Sequence, residues 1–415
     1  MDKDVKRNVV HYFISDISVF VSIYLNFLTM VWLTYELTGL PADLGLVGFL
    51  QNLPFFLFSV LGGVVADNYN RRKIVVRFNI MFVLLALIVA LTFILKLLTL
   101  PLILTFSFLL GTFFSIYYPS MIAMVQDMVT DKNEFPRVMG AAASNAKTGQ
   151  LIASSGFSFL ISAFTVAGTL VTAFIFNLVS LFFISKVKYT EPAIVKKNET
   201  VFGQIKTGLS YVLKHKVLLA IILMSTMISL VFIFVSFQMP LIDKDFLNGS
   251  SNDMGILFIA GAVGGLVSGI YLGKRKSTKN LLWFLIACAV ISGISIIGLA
   301  FSRKLWLSFI FAMGVDFAFI ATLGMSNTIL QLFSDDEVCG RVLGINTMMS
   351  WGFSAVIMMI LGFVADKAGM QPVMIGIGIA LFLSTTIYLI SLKFQKPELQ
   401  AIYSHRNIPA DKQPI

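Results

Sequence analysis

Three ionisable side chains stand where a charge is expensive. Asp16, Lys147 and Asp316 each interrupt a long apolar run. Holding a charge at the centre of a hydrocarbon layer costs at least ~2.5 kcal/mol. Each therefore needs a partner, a water-filled cavity or a task. The available chemistry is an ammonium that holds an anion, a carboxylate that takes up a proton, or mutual neutralisation. Lys147 lies about nine residues into its run and Asp316 about twelve, roughly 13–18 Å deep at 1.5 Å per residue, near a midplane. Lys147 shares a helical face with Ser144, Gln150 and Ser154, which directs it to a cavity rather than to lipid; its competing reading, with Asp316, is a structural ion pair. Asp16, about seven residues into the first run, reads equally well as a carboxylate at the membrane edge.

The elements that must position these groups are membrane helices. A spanning helix needs about 20 apolar residues, and such stretches occur near 9–35, 44–66, 73–97, 100–125, 139–163, 165–186, 217–242, 253–273, 280–301, 304–330, 341–365 and 370–392. Hydropathy alone comes close to merging the fifth and sixth. With 57% hydrophobic and 13% charged residues, lipid is the main solvent. The alternating short segments of a membrane β-barrel are missing. The chain is read as all-α, a twelve-helix integral membrane protein, and its first helix as retained rather than cleaved.

Net charge is +10, which in a soluble chain would suggest nucleic acid. Here the basic residues gather in alternate loops. With the N-terminus inside, 25 of the 31 Lys and Arg fall on the inner side and 5 on the outer. The positive-inside rule then places both termini in the cytoplasm. The expected division is a six-helix bundle over 1–186, a cytoplasmic linker over 187–216, a second bundle over 217–392 and a tail over 393–415. In the linker Val201, Ile205, Leu209 and Val212 share a helical face, consistent with a short amphipathic helix on the inner leaflet or with a solvated connector. Cys288 and Cys339 suggest neither a disulfide framework nor a metal site, and His11, His215 and His405 read as interfacial or tail residues.

The halves repeat. Gln126–Gly140 and Gln331–Gly344 each run from the end of an even-numbered span through an acidic loop into Arg-Val-x-Gly: Arg137, Val138 and Gly140 against Arg341, Val342 and Gly344. Parallel repeats imply a pseudo-twofold axis along the membrane normal and a central site between the halves. The first helix carries a polar stripe of Ser15, Ser18, Ser22, Asn26 and Thr29 at spacings of three and four. Ser22 and Asn26, with Gln51 from the second helix, are expected to line a cavity. Gly261, Gly264, Gly265, Ser268 and Gly269 form a small-residue face for close packing.

Gly63, Asp67, Arg71, Arg72 and Lys73, in GGVVADNYNRRK, resemble the G-x-x-x-D-x-x-x-R-R-K loop signature of the major facilitator superfamily. The second-half counterpart, Gly269–Lys276, keeps the basic cluster with Gly273 in the acidic place. Trp32–Gly39, Asn52–Pro54, Met239–Gly249, Gly340–Gly344 and Gly362–Asp366 look like the branch of macrolide efflux permeases and enterobactin exporters. The resemblance implies two six-helix bundles, alternating access, and a cavity lined by helices 1, 4, 7 and 10. By it, Gly63 permits close packing and Asp67 meets the free N–H groups at the start of the eleventh helix, beside Arg341. Arg71 or Arg72 pairs with Asp127. The chain departs from many drug exporters: Leu100–Gln126 holds no Lys or Arg, and Ser144–Gly156 holds no Pro. Protons as coupling ion thus rest on analogy alone.

These readings converge on a secondary transporter that exports a small organic molecule, a siderophore or a drug-like compound, across a bacterial inner membrane. It needs no cofactor, metal or nucleic acid, and its partners are the bilayer, the substrate and, by analogy, protons. It is not an enzyme: P-loop, triad and metal-ligand patterns are all missing. The rival readings are a nutrient uptake permease and a non-transporting receptor or scaffold.

Overall fold

The computed structural model describes residues 3–128, 135–188, 201–275, 280–335 and 338–405, and these are helical with short connections. The helices are α1 (Lys3–Thr38), α2 (Pro41–Asn68), α3 (Arg71–Ile94), α4 (Leu100–Met128), α5 (Phe135–Lys186), α6 (Val201–Lys214), α7 (Lys216–Leu247), α8 (Ser251–Lys274), α9 (Leu281–Phe301), α10 (Leu305–Phe333), α11 (Cys339–Thr347), α12 (Ser354–Ala368) and α13 (Met370–His405). One π-helical turn, Met348–Phe353, fuses α11 and α12 into a single crossing.

α5 has 52 residues. As one rod it would be about 78 Å long, against a hydrocarbon core of ~30 Å. It folds back at Thr165, whose φ of 63° no straight helix allows. Gly168 makes the bend possible, because its missing Cβ leaves the space that the Phe164 side chain fills. The arms 135–164 and 166–186 are the fifth and sixth crossings. Among the described residues eleven stretches are long and apolar enough to span by themselves, and the 135–164 arm completes twelve. α6 lies outside the set.

Every crossing starts or ends at one of two faces. The terminal face carries the start of α1, the α2–α3 corner, α6 and the α10–α11 corner. The far face carries the α1–α2, α3–α4 and α7–α8 corners and the Thr165 bend. Local chemistry sets the corners: Asn70 Oδ1 accepts from the Lys73 amide at 2.9 Å, and Ser250 and Asp253 form a capping box ahead of α8. Leu84, Ile88, Phe182, Ile294, Leu383 and Ile387 are exposed on the outer surface, as lipid requires.

Two six-helix bundles result. In the first, the polar stripe of α1 holds helices together. Ser15 Oγ lies 2.9 Å from Ser180 Oγ and Thr29 Oγ1 lies 3.0 Å from Thr169 Oγ1, so α1 is fastened to the 166–186 arm. In the second, α8 meets α10 where Gly264 admits the Met313 carbonyl. Two seams join the bundles, α2 against α12 and α5 against α8. Near the far face Gly45 and Gly362 pack backbone to backbone, Gln238 Nε2 donates to Pro41 O at 2.9 Å, and Phe27 packs edge-on to Phe237 at 5.0 Å.

α6 divides its apolar residues between two surroundings. Val212 is buried and Leu209 exposed, so the expected single apolar face is split. The side chains of Val201 and Ile205 lie outside the described set, as does everything over 189–200.

Candidate functional site

Lys147 and Asp316 meet at the centre of the α5–α8 seam. Lys147 Nζ lies 3.0 Å from Asp316 Oδ1 and donates to Gln150 Oε1 at 2.6 Å. The partners come from opposite bundles, and both are buried, at 6% and 8% exposure. A pair so far from water holds only when donors and acceptors match closely, and Gln150 supplies the second acceptor.

Glycines of α8 make room for it. A Cβ on Gly261 would sit 2.5 Å from Asp316 Oδ2, and one on Gly265 would sit 2.7 Å from Lys147 Cε. The small-residue face expected only to pack helices therefore also cradles a charged pair. Aromatic rings surround it. Lys147 Nζ lies 5.7 Å from the Phe232 ring centre. Phe232 stacks on Phe319 at 3.9 Å, Trp351 stands edge-on to Phe319 at 5.4 Å, and Phe55 stacks on Trp351 at 5.7 Å. Both bundles contribute to the cluster, and the π turn carries Trp351 into it. A π turn shifts the register of the residues after it, a device frequent at functional sites.

Asp16 lies in a separate place. It is 1% exposed inside the first bundle, where Asn145 Nδ2 donates to its Oδ2 at 2.6 Å. The reading of a carboxylate at the membrane edge is therefore corrected. Asn145 and Lys147 are two residues apart, so α5 holds one acid within its own bundle and another across the interface. Asp16 Oδ1 is buried with no hydrogen-bond partner among the described residues.

Ser22 and Asn26 do not face the second bundle. They line a cavity of about 10 Å³ with Phe82, Leu85, Phe106 and Asn177, inside the first bundle. Asn26 Nδ2 donates to Ser22 O at 3.0 Å. α1 is rotated so that Phe27 points across the interface. Spacings of three and four show that residues share a face, not which neighbour that face meets. Gln51 passes Gly111 of α4 with its backbone carbonyl, and its Oε1 is buried with no partner among the described residues.

At the α2–α3 corner the surroundings of Gly63 and the side chain of Asp67 lie outside the described residues. Arg71 Nη1 lies 2.6 Å from Asp127 Oδ2, while Arg72 Nη2 donates to Ser185 O at 2.8 Å. Arg71 thus ties the start of α3 to the end of α4, and Arg72 ties it to the end of α5. Arg341 lies in the first turn of α11, with its Cβ against Gly208 of α6.

Sequence reasoning overlooked the aromatic cluster and Asn145. With 39 Phe in the chain, no spacing marks Phe232, Phe319 and Phe55 as neighbours. Trp351 offered the one signal, as one of four Trp in the chain. Asn145 sits in the polar run Ser144–Gln150 that also holds Lys147.

Comparison with known proteins bears on the family and the fold. A family model described as transmembrane secretion effector matches residues 10–413. Macrolide efflux protein A of Streptococcus pyogenes is 23% identical over 293 residues, 68% of this chain and 69% of that protein. Among solved structures, a POT family transporter superposes with a TM-score of 0.74 at 12% identity, covering 94% of this chain and 97% of its own. The nucleoside transporter NupG gives 0.73 at 13% identity, with coverage of 92% and 99%. An inward-facing bacterial homologue of the lysosomal transporter Spinster gives 0.69 at 12%, with coverage of 95% and 98%. At these identities the solved structures speak for the fold alone.

Proposed function

The chain belongs to the transmembrane secretion effector family of major facilitator transporters, and on that premise we propose that it exports a small, partly aromatic organic molecule from a bacterial cytoplasm by alternating access. It is a multi-pass membrane transporter and not an enzyme. Export is favoured by the likeness to a macrolide efflux protein. The terminal face is cytoplasmic by the distribution of Lys and Arg.

The observation that carries the reading is the Lys147–Asp316 pair, which bridges the bundles at mid-depth. Alternating access requires the bundles to part at one face and meet at the other. A buried inter-bundle pair must exchange partners in that cycle, and Lys147 is its one cationic group. An anionic substrate group takes the place of Asp316 on Lys147, while the rings of Phe232, Phe319 and Trp351 cover its apolar part. At the terminal face Asp67, near the end of α2, takes the role that the loop signature implies for it, closing the corner against the N-terminus of α11.

Transport in reconstituted vesicles tests this with two single variants and their combination. If Lys147 binds substrate, Lys147→Ala raises the apparent Michaelis constant for an anionic substrate, and adding Asp316→Ala does not restore it. Full recovery of transport in the double variant would show that the pair is only a fastening, and the substrate reading would fail.

A further inference from the structure

We propose that α6 is an anionic-lipid-binding helix that couples membrane surface charge to the corner between α10 and α11. The proposal concerns regulation and does not depend on what is transported. Around the helix axis the residues sort into three strips. Gly208 and Val212 are buried and Tyr211 and His215 partly so, which makes one packed face. Beside it run Leu209 and Leu213, one turn apart, with 42% and 58% of their surface exposed. Next come Lys206, Ser210 and Lys214, all exposed, and exposed Lys216 follows at the start of α7.

The order packed, apolar, basic is that of a helix lying in a membrane interface, with its leucines below the headgroups and its lysines at phosphate level. Position agrees, because α6 is separated by His215 alone from α7, a membrane span. Leu213 therefore sits at the depth where α7 enters lipid. Three lysines beside two leucines select an anionic leaflet over a neutral one.

The packed face reaches the transport machinery. Tyr211 Oη donates to Asp335 Oδ2 at 3.0 Å and accepts from the Asp335 amide at 3.2 Å. The His215 ring lies over Tyr211 with centres 4.2 Å apart. Gly208 lies so close to Arg341 that a Cβ would meet the Arg341 Cβ at 2.9 Å. α6 thus grips both ends of the α10–α11 corner, and a shift of α6 must move Asp335 or Arg341.

Amide hydrogen exchange on the intact protein tests this in nanodiscs of phosphatidylcholine alone or mixed with phosphatidylglycerol. Protection over 206–214 is expected to rise about a hundredfold with the anionic lipid, the size expected of three lysines at about 1 kcal/mol each, and protection over 338–347 to rise with it. The triple variant Lys206→Gln, Lys214→Gln, Lys216→Gln should lose that rise while exchange in the core of α7 stays unchanged. Equal protection of α6 in both lipids, or a lipid response that survives in the triple variant, overturns the proposal. A response confined to α6 without 338–347 overturns the coupling.

Discussion

The two seams that join the bundles are equivalent under the pseudo-twofold, since exchanging the halves maps α2 against α12 onto α8 against α5. They are built from opposite materials. At α2–α12 glycine meets glycine, and a Cβ on Gly362 would lie 2.9 Å from Pro41 O and 3.2 Å from the Gly45 Cα. At α5–α8 the glycines of α8 face charged side chains instead, Lys147 of α5 and Asp316 of α10. The first seam is a close backbone fit that parts without stranding a charge. The second cannot part until its charges find other partners. One axis can thus combine an inert hinge surface with a ligand-sensitive one.

That contrast is most sharply broken at Gly362. The clash partners are backbone atoms of α2 that cannot rotate aside, so Gly362→Leu should hold the far face apart and abolish transport. Overpacking by several methylenes costs about 1–3 kcal/mol, so the protein should still fold. A thermal shift assay beside a flux assay checks both halves of the statement, and wild-type flux in Gly362→Leu would mean the seam does not close tightly in the cycle.

At the other seam, Lys147→Ala and Asp316→Ala each strand a buried charge and should lower stability by about 3–5 kcal/mol. The double variant should recover most of that loss. Chemical denaturation of the three purified variants in detergent reads the difference, and a double variant no more stable than either single one would show the charges to be independently satisfied.

Gly265→Ala should act more mildly than Gly362→Leu, because what it displaces is the flexible end of a lysine. The expected loss is about 1 kcal/mol with reduced but measurable flux. If Gly265→Ala proved as severe as the Gly362 change, the two seams would not differ in kind.

Asn26→Leu supplies the control, with the smallest expected effect. Asn26 bonds within its own helix, beside a small void. The change should move stability by less than about 1 kcal/mol and leave the order of preferred substrates as it was. A changed order in a competition assay would place Asn26 in the transport pathway after all.

Much of this was legible in the chain. Twelve spans follow from apolar runs of the right length, and the Arg-Val-x-Gly copies place the repeat. Lys147 and Asp316 stood out because charge inside hydrocarbon is rare. What sequence could not supply was azimuth. The stripe from Ser15 to Thr29 belongs to one face of α1, yet Ser15 meets Ser180 and Thr29 meets Thr169, a choice made by packing with distant helices. The pairing of Lys147 with Asp316, 169 residues apart, was one of the readings the sequence left open, and tertiary packing is what selects it. The π turn that presents Trp351 leaves no local signature in MMSWGF.

The bend at Thr165 bears on how the protein is made. The 135–164 arm carries Ser144, Asn145, Lys147, Thr148 and Gln150 through its middle, and Lys147 alone disfavours entry into the bilayer by about 2.5–3.5 kcal/mol. At that stage of synthesis Asp316 does not yet exist to neutralise it. The arm is joined through a single residue to 166–186, which lies within a stretch apolar enough to insert unaided. The two are therefore expected to enter the membrane as one hairpin, the second arm drawing in the first and the tight turn keeping them a unit. Lengthening that turn with a flexible polar insert should leave the first arm stranded at the surface during translation, a defect of biogenesis that no assay on the mature transporter would detect.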